Sequence, residues 1–337
     1  MLKSLLALVL LGAFATPAQG QAYCALRDPN KQIYTLFDEA NSYRSIVRTI
    51  DEGSRADIAE RLPFTLHFSE LGRHTIYVAM RDGEALGIVH VRSEIGKWGL
   101  VEVAWALDVN LRVVDFGFQR CRDGSKSAFE APQMRARFIG AGFDELRAMI
   151  DRSGTELVPE ALPLPAEAQS LGLALVRNGL KMMAATESAW GADVRLLKAQ
   201  EIARRLTPGA LVTSVTRRLY GPGVVAVLDR EVGQGGTSLD RDRAHAFDLT
   251  TEEGEVAGQL LTAPWKQGPL GVRLWWVLDS KGRLIAVEPS ESWPRMDLRE
   301  LFQAQVGKQR QDFEGCIGAV ELSTLEAMII LQGLTPP

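Results

Sequence analysis

Residues 74–116 read HTIYVAMRDGEALGIVHVRSEIGKWGLVEVAWALDVNLRVVDF, and 171 positions later residues 245–287 read HAFDLTTEEGEVAGQLLTAPWKQGPLGVRLWWVLDSKGRLIAV. The two segments align without a gap. Identical pairs are His74/His245, Gly83/Gly254, Glu84/Glu255, Gly87/Gly258, Val101/Val272, Trp105/Trp276, Leu107/Leu278, Asp108/Asp279 and Arg112/Arg283. Composition alone gives about three identities over such a length. The period is too long for a solenoid repeat, so the pattern predicts duplication of a whole domain.

Each copy follows one grammar. TIYVAM and ALGIVHV flank Asp82-Gly83, a two-residue hairpin signal because such turns require positive φ. LVEVAWAL and RVVDFGF then alternate around the short turn Asp108–Leu111, with Ser280-Lys281-Gly282 in the corresponding place of the second copy. Four strands in an antiparallel meander are expected per copy. Helical periodicity follows in Pro132–Ile150 and Glu167–Thr186, separated by the proline-punctuated VPEALPLP, and again in Leu298–Lys308 and Ser323–Leu334. A helix-like segment precedes each copy, Asn30–Ala40 leading to SIVRTI and Arg195–Leu206 leading to ALVTSVTRRL. The expected class is α+β, two similar domains, each a twisted antiparallel four-strand sheet with packed helices. Their expected bounds are 21–190 and 191–337.

Residues 1–20 read as a signal peptide: Lys3, then the apolar run Leu5–Phe14, then Ala18 and Gly20 before a cleavage point. The apolar run is shorter than the roughly 20 residues of a membrane-spanning helix, and no later stretch is longer. The mature chain is therefore expected to be exported and periplasmic, without a transmembrane segment. A net charge of −4 over 337 residues, with no lysine- or arginine-rich block, argues against a nucleic-acid partner, since phosphate neutralisation needs a concentrated basic face. Cys24, Cys121 and Cys316 have neither CxxC nor zinc-type spacing. A Cys24–Cys121 bridge and three unlinked thiols are both open.

No nucleophile elbow, phosphate loop or zinc-protease helix occurs. Of the four histidines, His67 and His74 lie with Glu70 in LHFSELGRHT, a polar cluster with the residue types of a metal or small-ligand site. His74 recurs as His245, for which a structural hydrogen bond at a strand entrance is sufficient reason. Trp105 and Trp276 sit in the middle of an alternating strand and read as core.

The glycine-marked hairpin, the W-x-L-D-x-x-x-R-V pair from Trp105 to Val113, RFIGAGF at Arg137–Phe143 and the glycine-alanine turn in GCIGAVELS, Gly315–Ser323, together resemble the FMN-binding domain family. Members include periplasmic flavin-carrying subunits of the sodium-pumping NADH:quinone reductase and of Rnf complexes. The resemblance implies FMN linked through its phosphate to the threonine of a Ser-Gly-Ala-Thr-x-Thr-Ser motif at the start of the last helix. In this chain Gly318, Ala319 and Ser323 match, Ile317 and Leu322 replace motif hydroxyls, and Val320 stands at the acceptor position. Valine has no hydroxyl, so a covalent phosphoester there is excluded. In the first copy Ala166 and Ser170 match, and Glu167 stands at the acceptor. The loops after the fourth strand, QRCRDGSKS and PSESWPRMD, differ from the family's usual ETPGLG.

The resemblance implies an accessory in envelope electron transfer rather than a stand-alone enzyme. It would hold FMN noncovalently at most, through Gly318, Ala319 and Ser323, and serve a membrane redox complex or another envelope protein. The alternative is a flavin-free binding or assembly module that contacts a partner protein. A third reading is a metal or small-ligand binder using His67, Glu70 and His74.

Overall fold

A computed structural model describes residues 28–214, 222–232, 238–290 and 292–333. The expected signal peptide and Cys24 lie outside these residues, as does part of ALVTSVTRRL. The chain divides into two compact units, the first ending at Ala189 and the second beginning at Trp190, with the turn Asp108–Leu111 grouped with the second.

In the first unit the strands are β1 (Ser42–Ile50), β2 (Gly72–Arg81), β3 (Glu84–Gly96), β4 (Gly99–Leu107) and β5 (Val113–Arg120). They form one antiparallel sheet in chain order. In the second unit β6 (Leu211–Ser214), β7 (His245–Thr250), β8 (Val256–Gln267), β9 (Leu270–Asp279) and β10 (Leu284–Pro289) do the same. Each sheet therefore has five strands, not the expected four. The additional edge strands are the apolar segments that follow the leading helices. SIVRTI falls within β1, which pairs with β2 from Ser42↔Met80 to Ile50↔Gly72. Most of β1 faces solvent, and its burial does not alternate cleanly, so period-two counting does not detect it.

The Asp82-Gly83 turn is formed as expected, with φ of 52° and 86° at the two central residues. Gly87 has a different reason for being glycine. An added Cβ would lie 2.5 Å from the carbonyl oxygen of Leu107 and 2.5 Å from the Phe37 ring, and Gly258 abuts the carbonyl of Leu278 in the same way. Because a backbone carbonyl in a sheet ladder cannot swing aside, Gly258→Ala should destabilise the second unit by about 1–3 kcal/mol. A denaturant titration monitored by the second unit's tryptophans would check this, and a change below about 0.5 kcal/mol would contradict the clash.

Both sheets are covered on two faces, which explains why β3 from Gly87 to Glu94 and β4 from Leu100 to Leu107 are buried without alternation. On one face of the first sheet, Val89, Val91, Ala104 and Ala106 pack with Ile33, Leu36 and Phe37 of α1 (Asn30–Leu36) and its C-terminal edge. The opposite face meets α6 (Gln169–Leu206), where Gly179 approaches the Trp105 ring so closely that a side chain would not fit. In the second unit, Ala199, Ile202 and Ala203 from the later part of α6 pack with Phe247, Leu260, Trp275 and Val277. The other face, with Trp265, Trp276 and Leu278, packs against α9 (Ala319–Gln332) through Ala327, Met328 and Ile330. Trp105 and Trp276 are fully buried, so both are core.

Two helical expectations change. Glu167–Thr186 and Arg195–Leu206 belong to one continuous 38-residue helix, because the intervening ESAWGADV contains no proline and its Gly191 is tolerated inside a helix. Pro132–Ile150, by contrast, breaks into α4 (Pro132–Arg135) and α5 (Phe143–Arg147), with α3 (Lys126–Glu130) just before them. Gly140 adopts φ of +80° and its N–H donates to the Val113 carbonyl, which turns the chain back to the sheet. The remaining helices are α2 (Glu52–Arg61), α7 (Pro222–Glu231) and α8 (Met296–Gln303). No described helix is long and apolar enough to cross a membrane. Cys121 and Cys316 are not bonded to each other.

Candidate functional site

The start of α9 is where the flavin motif would act. Gly318 is the residue preceding the helix, and Ala319 is its first residue. Val320 is buried in the core that includes Trp276 and Phe313, so its side chain is a packing element. The Ser323 hydroxyl is fully buried. It donates to the Ala319 carbonyl at 2.6 Å and accepts from Trp265 Nε1 at 3.0 Å. That hydroxyl faces the sheet and ties the helix to it. The Glu321 carboxylate lies directly against Gly318. An anion drawn by the positive end of the helix would meet this carboxylate first. Ile317, in place of the motif's first serine, is 91% exposed. Neither covalent attachment nor phosphate binding fits this donor set. In the first unit Glu167 lies in a single 3-10 turn, Ala166–Ala168, directly before α6, and adds a second carboxylate at the corresponding place.

A different cluster stands out in the first unit, where the α6-facing side of the sheet is polar. The β3 residues His90, Arg92 and Glu94 share this face, opposite Trp105, Val103 and Val101 of β4. Asn178 of α6 accepts from Trp105 Nε1 at 2.8 Å and donates to the Arg92 carbonyl at 2.8 Å. His90 Nδ1 is 2.7 Å from the Thr186 hydroxyl, which also donates to the Met182 carbonyl. Arg92 Nη1 is 3.3 Å from His74 Nδ1. Burial, and then the Arg92 charge, lowers the His74 pKa to about 4. Burial, Arg92 and His74 push His90 well below the ordinary histidine range. Both imidazoles are neutral at physiological pH.

Next along this face lies a buried ionic chain. Lys181 Nζ donates to Glu70 Oε1 at 2.7 Å and to the Ser93 carbonyl at 3.1 Å. It also lies 2.8 Å from Glu94 Oε2, an electrostatic contact outside hydrogen-bond alignment. Glu94 is in turn 3.8 Å from Arg177 Nε. The Lys181 and Glu70 side chains are 3% and 2% exposed, so this is an interior arrangement and not a surface pair. The other Glu70 oxygen accepts from the His67 backbone N–H at 2.8 Å.

The sequence cluster His67, Glu70 and His74 is thus divided among different partners. Glu70 is held by Lys181, while His74 faces Arg92. Among the described residues, no group of three or more His, Cys, Asp or Glu is placed to hold a metal ion. Sequence reasoning did not find Lys181, Glu94 or Arg177, because their signal is the juxtaposition of β3 with a helix more than 80 residues later, and it did not find Arg55 of α2, which only the fold brings to the same place.

Beside the ionic chain is a cavity of about 660 Å³. Its floor carries Glu70, Glu94 and Lys181, and its walls Arg55, Arg177 and Phe68. Compared with protein-family models, curated proteins and solved structures, the chain matches none.

Proposed function

We propose that the chain is a tandem duplication of an FMN-binding-domain-like unit, exported to the periplasm, where it serves as a flavin-free binding or assembly module for another envelope protein. Several observations support the duplication. Adding 171 to the β3–β4 pair Ile88↔Leu107 gives the β8–β9 pair Gln259↔Leu278. The same offset carries Gly87 and its crowding carbonyl at Leu107 onto Gly258 and Leu278. A leading helix, a five-strand meander and a closing helix recur in order in both units.

The observation that carries the flavin-free reading is the start of α9. There Val320 belongs to the core, the Ser323 hydroxyl is committed to Trp265 and Ala319, and Glu321 covers Gly318. A helix start receives a phosphate through exposed N–H groups and an absence of competing negative charge. Here the Glu321 carboxylate lies against Gly318 and supplies such a charge.

The test is to purify the protein from its periplasm, record absorbance in the flavin region, add FMN, and then denature the protein. A colourless protein that takes up no FMN and co-purifies with a specific envelope protein is the expected result. A yellow chromophore released on denaturation would restore the electron-transfer reading with noncovalent flavin. Flavin that stays with the denatured chain would overturn the role given to Val320.

A further inference from the structure

The cavity of the first unit has a composition that neither α9 nor the flavin motif accounts for. Three cations, Arg55, Arg177 and Lys181, and two carboxylates, Glu70 and Glu94, line it, and a third carboxylate, the exposed Glu52, lies 3.5 Å from Arg55 outside the lining. Lys181 lies between the two carboxylates at the floor, so the ionic groups closer to the opening are the two guanidiniums. Both are held by stacking. The Arg55 guanidinium lies 4.1 Å from the Phe68 ring centroid and that of Arg177 lies 4.1 Å from Phe64. Arg55 Nε donates to the Leu66 carbonyl at 3.1 Å, and Arg177 Nη1 to the Gly154 carbonyl at 2.9 Å. Arg55 Nη1 also donates to the exposed Glu52 carboxylate at 3.5 Å, and these bonds fix the guanidinium planes while using only part of each donor fork. A pre-oriented fork of this kind suits a planar oxyanion.

The rim is apolar. Phe68 is 65% exposed and Ile95 is 54% exposed, and both line the same cavity along with Leu173. Exposed apolar side chains of this size, next to an anchored cationic group, match a ligand with an apolar body and an acidic end. A volume of about 660 Å³ is within the range of small-molecule sites, roughly 300–1,000 Å³.

We infer that the first unit binds an amphiphilic organic monoanion in this cavity, its carboxylate against Arg55 and Arg177 and its apolar chain against Phe68, Ile95 and Leu173. Glu70 and Glu94 at the cavity and Glu52 beside Arg55 repel a phosphate dianion more than a carboxylate monoanion. This inference holds whether or not the protein carries flavin elsewhere, because it involves no residue of α9.

The experiment is isothermal titration calorimetry of the full mature chain with dodecanoate below its micellar concentration, alongside dodecanol, dodecyl phosphate and FMN. One dodecanoate should bind per chain, with dodecanol and dodecyl phosphate each weaker by about tenfold and FMN failing to displace it. Arg55→Gln should abolish the preference for dodecanoate over dodecanol, in a chain that still unfolds cooperatively. If that variant folds poorly, added salt serves instead, weakening dodecanoate and not dodecanol in the wild-type protein. Equal binding of dodecanoate and dodecanol, tighter binding of dodecyl phosphate, displacement by FMN, or no heat from the folded wild-type chain would each overturn the assignment.

Discussion

Replacing Lys181 with methionine should cost the first unit about 3–5 kcal/mol, because it leaves Glu70 and Glu94 buried without their shared cation. Methionine fills nearly the same volume, so little of the loss would come from a cavity. Arg177 cannot compensate: it is 3.8 Å from Glu94 and is already anchored to Gly154. For a unit of this size the loss corresponds to a fall in melting temperature of roughly 10 °C. The ionic origin is separable from simple packing by a second variant. Lys181→Met combined with Glu70→Gln and Glu94→Gln removes all three charges together and should recover most of the lost stability, since replacing a whole buried ion set is far less costly than breaking one. Scanning calorimetry of both variants is the measurement. A loss below about 1 kcal/mol for Lys181→Met, or no recovery in the triple variant, would show that the chain of charges is not what holds β3 to α6.

The contrast between the two units explains which parts of this molecule could be read in advance. The glycine turns at Gly83 and Gly254 and the buried Trp105 and Trp276 were legible because they depend on local chemistry or on period two. The α+β class followed from them. β1 and β6 were not counted because each is an edge strand recruited by its neighbour, and β6 is only four residues long. Nor was the fusion of two helical stretches into α6 legible, since nothing in ESAWGADV either demands or forbids helix. The sequence also placed chemical interest at Gly318, Ala319 and Ser323, where a family motif would lie. The structure uses Ser323 to join α9 to Trp265 instead. The polar face of the first unit was hidden for a physical reason. GIVHVRSE on β3 reads as a half-exposed strand whose His90, Arg92 and Glu94 point to water, and only the packing of α6 across them shows that they are interior.

That buried face leads to the second large expectation, a loss of stability on mild acidification. His74, with its pKa lowered to about 4 by burial and Arg92, is neutral in the folded protein, while in the unfolded chain it titrates near 6.5. His90 is lowered further in the same direction by burial, Arg92 and His74, and His245 is lowered to about 4 by burial, Arg195 and Arg273. A folded-state pKa below the unfolded value means that the unfolded chain takes up protons first as pH falls. The stabilisation is therefore complete above about pH 6.5 and is lost progressively down to about pH 4 for His74 and His245. Below that these two contribute no further change, while His90 continues to. His74 alone accounts for up to about 3 kcal/mol across its window. Denaturant titrations at pH 7, 5.5 and 4.5 should show unfolding midpoints that fall steeply over this range, before carboxylates with lowered pKa values such as Asp279 and Glu231 begin to titrate. The attribution is testable by substitution. His74→Gln should lower stability at pH 7 by disturbing the contact with Arg92, yet flatten the dependence between pH 6.5 and 4.5 in the first unit. A pH profile as steep in that variant as in the wild-type protein would place the titrating groups elsewhere. A wild-type profile that is level from pH 7 to 4.5 would contradict neutral, buried imidazoles against Arg92.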